Sequence, residues 1–155
     1  MTKPVLEIVR DDPQLLIAHV PHARVLGLKV IDVKPSECWI ELPYSGELVG
    51  NPETGVIHGG VITTLLDQCG GSAVIAALDD IVSIATLDLR IDYMKPATPG
   101  RAIIGYSHCY KVTRNVAFAR AVAYHDRPED PIATAVGTFM LGANRSLPAV
   151  LGTGS

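Results

Sequence analysis

The chain is short of cysteine and of charge. Its three cysteines, Cys38, Cys69 and Cys109, are odd in number and widely spaced, with no C-x-x-C among them. That excludes a disulfide framework and a zinc knuckle, and it suits a reducing cytosol. Charged residues make up only 19% of the 155 positions, and the net charge is −3. No basic surplus is left to draw nucleic acid or an anionic membrane. No helix-turn-helix segment or basic arm precedes residue 28, which argues against a DNA-binding regulator. Met1 to Val9 lacks a basic stretch followed by an apolar one, so no signal peptide is expected. His19, His22, His108 and His125 show no ligand spacing with one another or with a cysteine, and neither a metal nor a cofactor is expected.

What the chain has is apolar residue: 48% of it, with a mean hydropathy of +0.27. This length suits one domain with one core. The hydropathy implies either a large core or apolar surface hidden in an oligomer. Val61 to Leu78 runs 18 residues without a basic one, long enough to suggest a membrane span. Asp67, Gln68 and the pair Gly70-Gly71 interrupt it, so a helix buried inside the protein fits better.

The pattern along the chain is α+β. Residues 1–27 read as an N-terminal helical extension, with a short helix over Gln14 to His19. Residues 28–142 read as the main domain and 143–155 as a flexible C-terminal tail. Leu28 to Val33 and Cys38 to Leu42 alternate as a hairpin around Lys34-Pro35-Ser36. Tyr44 to Ile57 reads as a loop. His58 to about Leu78 is one long helix, apolar around nearly its whole circumference and therefore wrapped by other structure. Four strands follow: Ile81 to Tyr93, Arg101 to Val112, Val116 to His125 and Pro131 to Leu141. One apolar helix against one antiparallel sheet leaves the other face and the edges open, which favours a dimer.

Two features carry candidate chemistry. The first is His58-Gly59-Gly60 at the helix start. First-turn N–H groups lack partners within the helix and lie at the positive end of its dipole, so they suit a developing oxyanion. The same glycine pair also simply permits a tight loop. The second is Asp67, the only charged residue between His58 and Leu78. A carboxylate among Leu65, Leu66, Cys69 and Ala73 is costly unless hydrogen-bonded or used as a base. It could equally cap a neighbouring loop. Gly60 and Asp67 are seven residues apart, about 10 Å along a helix, so one carbonyl cannot meet both within one chain. If both act on one substrate, they come from two chains.

Around these, Asn51 could orient a substrate and Thr86 could hold a water, though a turn Asn and a strand Thr are also ordinary. Arg90, Lys95, Lys111 and Arg114 at strand ends could meet phosphates or be solvated surface charges.

The motif Asn51…His58-Gly59-Gly60-Val61…Leu66-Asp67, followed by Thr86 through Ala97 and Gly100, resembles the hotdog-fold thioesterase superfamily, and within it the PaaI-like acyl-CoA thioesterases. The resemblance covers Leu28 to Leu141. It implies a central helix wrapped by a five- to six-stranded antiparallel sheet, a homodimer that often pairs into a tetramer, and a cytoplasmic acyl-CoA thioesterase. Asp67 would be nucleophile or general base and the Gly60 N–H the oxyanion donor. His58 and Asn51 would place the thioester, and Thr86 would hold the hydrolytic water. The CoA moiety would run along Tyr93, Met94, Lys95 and Pro96 and along the turn holding Lys111, Arg114 and Asn115. That turn departs from many relatives, in that Thr113 stands where they have glycine. The same fold also serves acyl-thioester hydratases and dehydratases and non-catalytic acyl-CoA-binding proteins.

Overall fold

Short amphipathic segments begin the chain in the computed structural model, which describes residues 3–142. The expected tail, 143–155, lies outside the described residues. In place of one helix over Gln14 to His19 there are two, α1 (Val5–Asp11) and α2 (Pro21–Val25), flanking a 3-10 turn at Pro13–Leu16. Pro13 and Pro21 each open their element, where a missing N–H costs nothing. Val5, Val9, Leu16, Ile17 and Ala23 join the main core, so this segment is tied down by burial.

The hairpin forms as expected, from β1 (Lys29–Lys34) and β2 (Glu37–Leu42). Alternation sends Cys38, Ile40 and Leu42 into the core. Part of the expected loop over Tyr44 to Ile57 is instead a two-stranded ribbon, β3 (Val49–Asn51) and β4 (Val56–Ile57). Runs of three and two residues are too short to show a period.

Helix α3 spans Gly59–Ile75, shorter at its end than the expected limit near Leu78. Past Ile75 the Ala77 and Leu78 N–H groups turn to the carbonyls of Val74 and Ile75, a tighter winding that closes the helix. The four later strands are β5 (Ile84–Tyr93), β6 (Ile103–Val112), β7 (Val116–Tyr124) and β8 (Ala133–Leu141). With the hairpin they make a six-stranded antiparallel sheet in the order β1-β2-β6-β7-β8-β5.

Helix α3 lies on one face of that sheet, and glycine lets it come close. A Cβ on Gly70 would stand 2.9 Å from Phe139 Cζ, and one on Gly105 would stand 3.0 Å from Leu65 Cγ. Phe139 and Leu65 are fully buried in the space so created. The pair Gly70-Gly71 is therefore a packing device within the helix. Among the described residues no helix is long and apolar enough to cross a membrane.

β5 ends the sheet as a ten-residue edge strand, and most of it is exposed. Leu87 and Tyr93 are about half exposed. Long open edges of this kind invite pairing with another chain.

Candidate functional site

Asp67 sits half-buried on α3, one turn before the Gly70-Gly71 pair. Thr86 reaches it from β5: the Thr86 hydroxyl donates to Asp67 Oδ1 at 2.7 Å. A bulge assists this. The β5–β8 register is Thr86 opposite Phe139 and then Asp88 opposite Thr138, so Leu87 is the extra residue. Bulges re-aim the side chains beside them, and here Thr86 faces the helix. One carboxylate oxygen is thus engaged by a neutral donor, and the other has no hydrogen-bond partner among the described residues.

The helix start is held by three side chains. His58 is the N-cap, and the Gly60 N–H donates to its Nδ1 at 2.8 Å. The neutral ring therefore carries its proton on Nε2. Gly60 N–H, the expected oxyanion donor, is committed to His58. The Gly59 N–H has no acceptor among the described residues. The carbonyl of the same Gly59–Gly60 peptide is held as well. Tyr93 Oη donates to Gly59 O at 2.8 Å, and the Thr63 hydroxyl, 3.2 Å from the same oxygen, is hydrogen-bonded to the Tyr93 hydroxyl at 2.6 Å. This peptide plane is gripped at both ends, which fixes how the first turn presents its N–H groups. The Tyr93 ring lies against Gly59, where a Cβ would be 3.4 Å from Tyr93 Cε1.

Asn51 is spent locally. Its side-chain oxygen accepts the Glu53 N–H at 2.9 Å, and its carbonyl accepts the Thr54 and Gly55 N–H groups. That is the turn role of asparagine, and only its amide NH2 is left over. Its neighbour Gly50 lies under His58, with a Cβ there falling 3.2 Å from His58 Cα.

Two cavities lie toward opposite ends of α3. One, of about 360 Å³, is at the helix start, where Gly59 and Ile62 meet Tyr93, Met94, Lys95 and Pro96. Lys95 is paired at its rim with Asp130 at 2.7 Å, and that ammonium holds the Asp130 carboxyl below its usual range. The other, of about 160 Å³, lies along α3 from Asp67 toward Ile75. Thr86 is in its wall, and so are Leu16, His19 and Val20 of the N-terminal segment. The candidate cations Lys111, near the end of β6, and Arg114, with Asn115 in the β6–β7 turn, are exposed, away from both cavities. Asn115 O accepts Leu141 N–H, which places this turn at the Ile84 end of β5. Tyr93 is at the other end, about 30 Å away at strand rise.

The structure therefore joins Asp67 with Thr86, and His58 with Gly60. It joins Tyr93 through Pro96 in one cavity but leaves Lys111, Arg114 and Asn115 at the far end of the sheet. Two features escaped the sequence reading. The Tyr93–Thr63 grip spans thirty positions, and the N-terminal wall beside Asp67 spans about fifty. Neither leaves a local pattern. Among the described residues no three His, Cys, Asp or Glu side chains converge as a metal site. Cys38, Cys69 and Cys109 are free and buried, and burial pushes the Cys69 and Cys109 thiols up.

Residues 54–132 match the model of the thioesterase superfamily. The medium/long-chain acyl-CoA thioesterase YigI of Salmonella typhimurium is 27% identical over 144 residues, covering 83% of this chain and 90% of that protein. A Halobacterium salinarum protein is 40% identical over 75 residues, which spans 46% of this chain and only half of that protein's length. Among solved structures, a Pseudomonas aeruginosa protein is 46% identical with a TM-score of 0.76, over 88% of this chain and 98% of that one. The Escherichia coli PaaI protein from the phenylacetic acid degradation operon aligns at a TM-score of 0.77 over 90% of this chain and 96% of that one. Its identity is 12%, a likeness of fold.

Proposed function

The chain belongs to the thioesterase superfamily and has its hotdog fold; as such it is a thioester hydrolase, and we propose that it cleaves an acyl-CoA to the free acid and CoA at a site shared by two subunits. The observation that carries this is the Thr86–Asp67 hydrogen bond at 2.7 Å inside a cavity. A carboxylate with one oxygen anchored and one free can attack the thioester carbon or take a proton from water. The Thr86 oxygen keeps lone pairs to accept from that water. The oxyanion forming on the thioester carbonyl then needs a preorganised donor.

That donor is the Gly59 N–H. Gly60 gives up the role because its N–H is bound by His58. Gly59 and Asp67 are eight residues apart, about 12 Å along the helix, so Gly59 of one subunit serves Asp67 of its partner. Antiparallel pairing of two α3 helices accomplishes this. It also brings the β6–β7 turn of one subunit toward the Tyr93–Pro96 cavity of the other, which unites two CoA-binding groups that one chain keeps apart. Lys95, released from Asp130, and Lys111 and Arg114, which form no ion pair among the described residues, would meet CoA phosphates. The open β5 edge suits the dimer, and the exposed Tyr110, Val136 and Met140 suit pairing of dimers. Three reduced, buried cysteines suit the cytoplasm.

A thiol-release assay over short, medium, long and aryl acyl-CoAs tests the reading; no release from any of them overturns it. His19 at the rim of the Asp67 cavity is the one observation that favours a hydratase or dehydratase. Enoyl-CoA absorbance changing without thiol release would select that alternative.

Tyr93→Phe separates positioning from CoA binding. It keeps the ring on Gly59 and removes the hydroxyl. Loss of one hydrogen bond is expected to lower kcat by about threefold to tenfold with KM unchanged. A rise in KM alone would return Tyr93 to the CoA path.

A further inference from the structure

The cavity beside Asp67 is bounded on one side by α3 and the sheet and on the other by the N-terminal segment. From α3 and the sheet come Ile75, Ile84 and Phe139, and from the segment come Leu16 and Val20. Gly71 leaves this space open. A Cβ there would press on Ile84 Cδ1 at 3.2 Å, so a side chain at 71 would crowd the cavity wall. The segment is held in place independently of the site. Leu16 and Ile17 are buried in the core, and His22 Nε2 lies 3.2 Å from the Thr64 hydroxyl on α3.

A thioester bound with its carbonyl at Asp67 has two ends to place. The CoA end is bulky and anionic. The partner's helix start, with the cations near it, takes that end. The acyl end then runs from Asp67 along its own α3 toward Ile75, a helix rise of about 12 Å. That is the reach of a medium-length acyl chain. Along this path Leu16, Val20, Ile75 and Ile84 supply aliphatic wall and the Phe139 ring a floor, while Gln68, Ser72 and His19 interrupt it with polar groups.

Resting on the thioesterase reading above, we propose that this cavity is the acyl pocket, that it takes a medium-length saturated acyl chain, and that Leu16 and Val20 of the N-terminal segment set the length accepted. Leu16 and Phe139 are buried in the core, and Ile75 and Ile84 pack against it, so each is constrained by packing. Val20 of the N-terminal segment is the wall residue that can change the pocket with the least disturbance of the core, of Asp67 and of Thr86. Val20 is the better probe because it is only half-buried, whereas Leu16 is part of the core.

The test uses the full chain and compares kcat/KM for dodecanoyl-CoA with that for butyryl-CoA. Val20→Phe narrows the pocket, and the dodecanoyl-to-butyryl ratio is expected to fall by about tenfold, the discrimination that a methylene or two commonly commands in an apolar pocket. Val20→Ala widens it, and the ratio is expected to rise. If Val20→Phe does not fold, the alanine variant decides. A ratio that stays constant, or moves the other way, overturns the assignment of the pocket. The same assay on Asp67→Asn keeps the two readings apart. If Asp67→Asn is inactive and the ratio is indifferent to residue 20, the pocket is wrong and the hydrolase reading stands. If Asp67→Asn turns over like the parent, the reading beneath the pocket fails first.

Discussion

Asp67→Asn is expected to lower kcat for acyl-CoA hydrolysis by about two to four orders of magnitude, the usual worth of a positioned general base or more. The substitution is nearly isosteric. An asparagine oxygen still accepts the Thr86 hydroxyl, so the 2.7 Å contact and the β5 bulge beside it have no reason to move. What goes is the negative charge and the basic lone pair. Helix α3 is packed against the sheet through Leu65, Leu66, Cys69 and Ala73, all buried and none altered. Thermal unfolding should therefore stay close to that of the parent, while thiol release collapses. A variant that unfolds normally and hydrolyses at the parental rate would remove Asp67 from the mechanism.

Much of this candidate site is legible in the sequence because its signals are local. A single charge inside an apolar helix is conspicuous, and so is a threonine in Ile84-Ala85-Thr86-Leu87. The hairpin at Pro35-Ser36 and the four later strands follow from alternation and turn residues. What was hidden depends on side-chain direction or on distant pairing. Whether Gly59 or Gly60 offers its N–H is decided by the His58 ring folding back to cap the helix, a rotamer that spacing does not encode. The expected helix at Gln14 to His19 gave way to α1, a 3-10 turn and α2 because prolines 13 and 21 punctuate that stretch. Val20 beside Asp67, and Tyr93 over Gly59, are products of the tertiary fold alone.

Gly59→Pro carries the other large effect, and it also tests how the site is divided. Gly59 is the first helical residue, where the backbone of proline fits and the N–H is lost, while the added ring packs against Tyr93, whose Cε1 lies 3.4 Å from a Cβ placed there. His58 already has φ −60° and ψ 135°, the extended conformation that a residue before proline prefers. The helix should form unchanged, and removing this one oxyanion donor is expected to lower kcat by about 10²- to 10³-fold. A hybrid dimer made from one Asp67→Asn chain and one Gly59→Pro chain, purified through two tags, should behave differently from either parent. In a two-fold symmetric dimer with shared sites, one of its two sites carries both lesions and the other carries neither, so the hybrid should recover about half of the parental activity. The reverse hybrid pairs a chain bearing both substitutions with an intact chain. Each of its sites then has one lesion, and it should be nearly inactive. If Asp67 and Gly59 of the same chain formed the site, the two hybrids would exchange outcomes: the first would be inactive and the second half active.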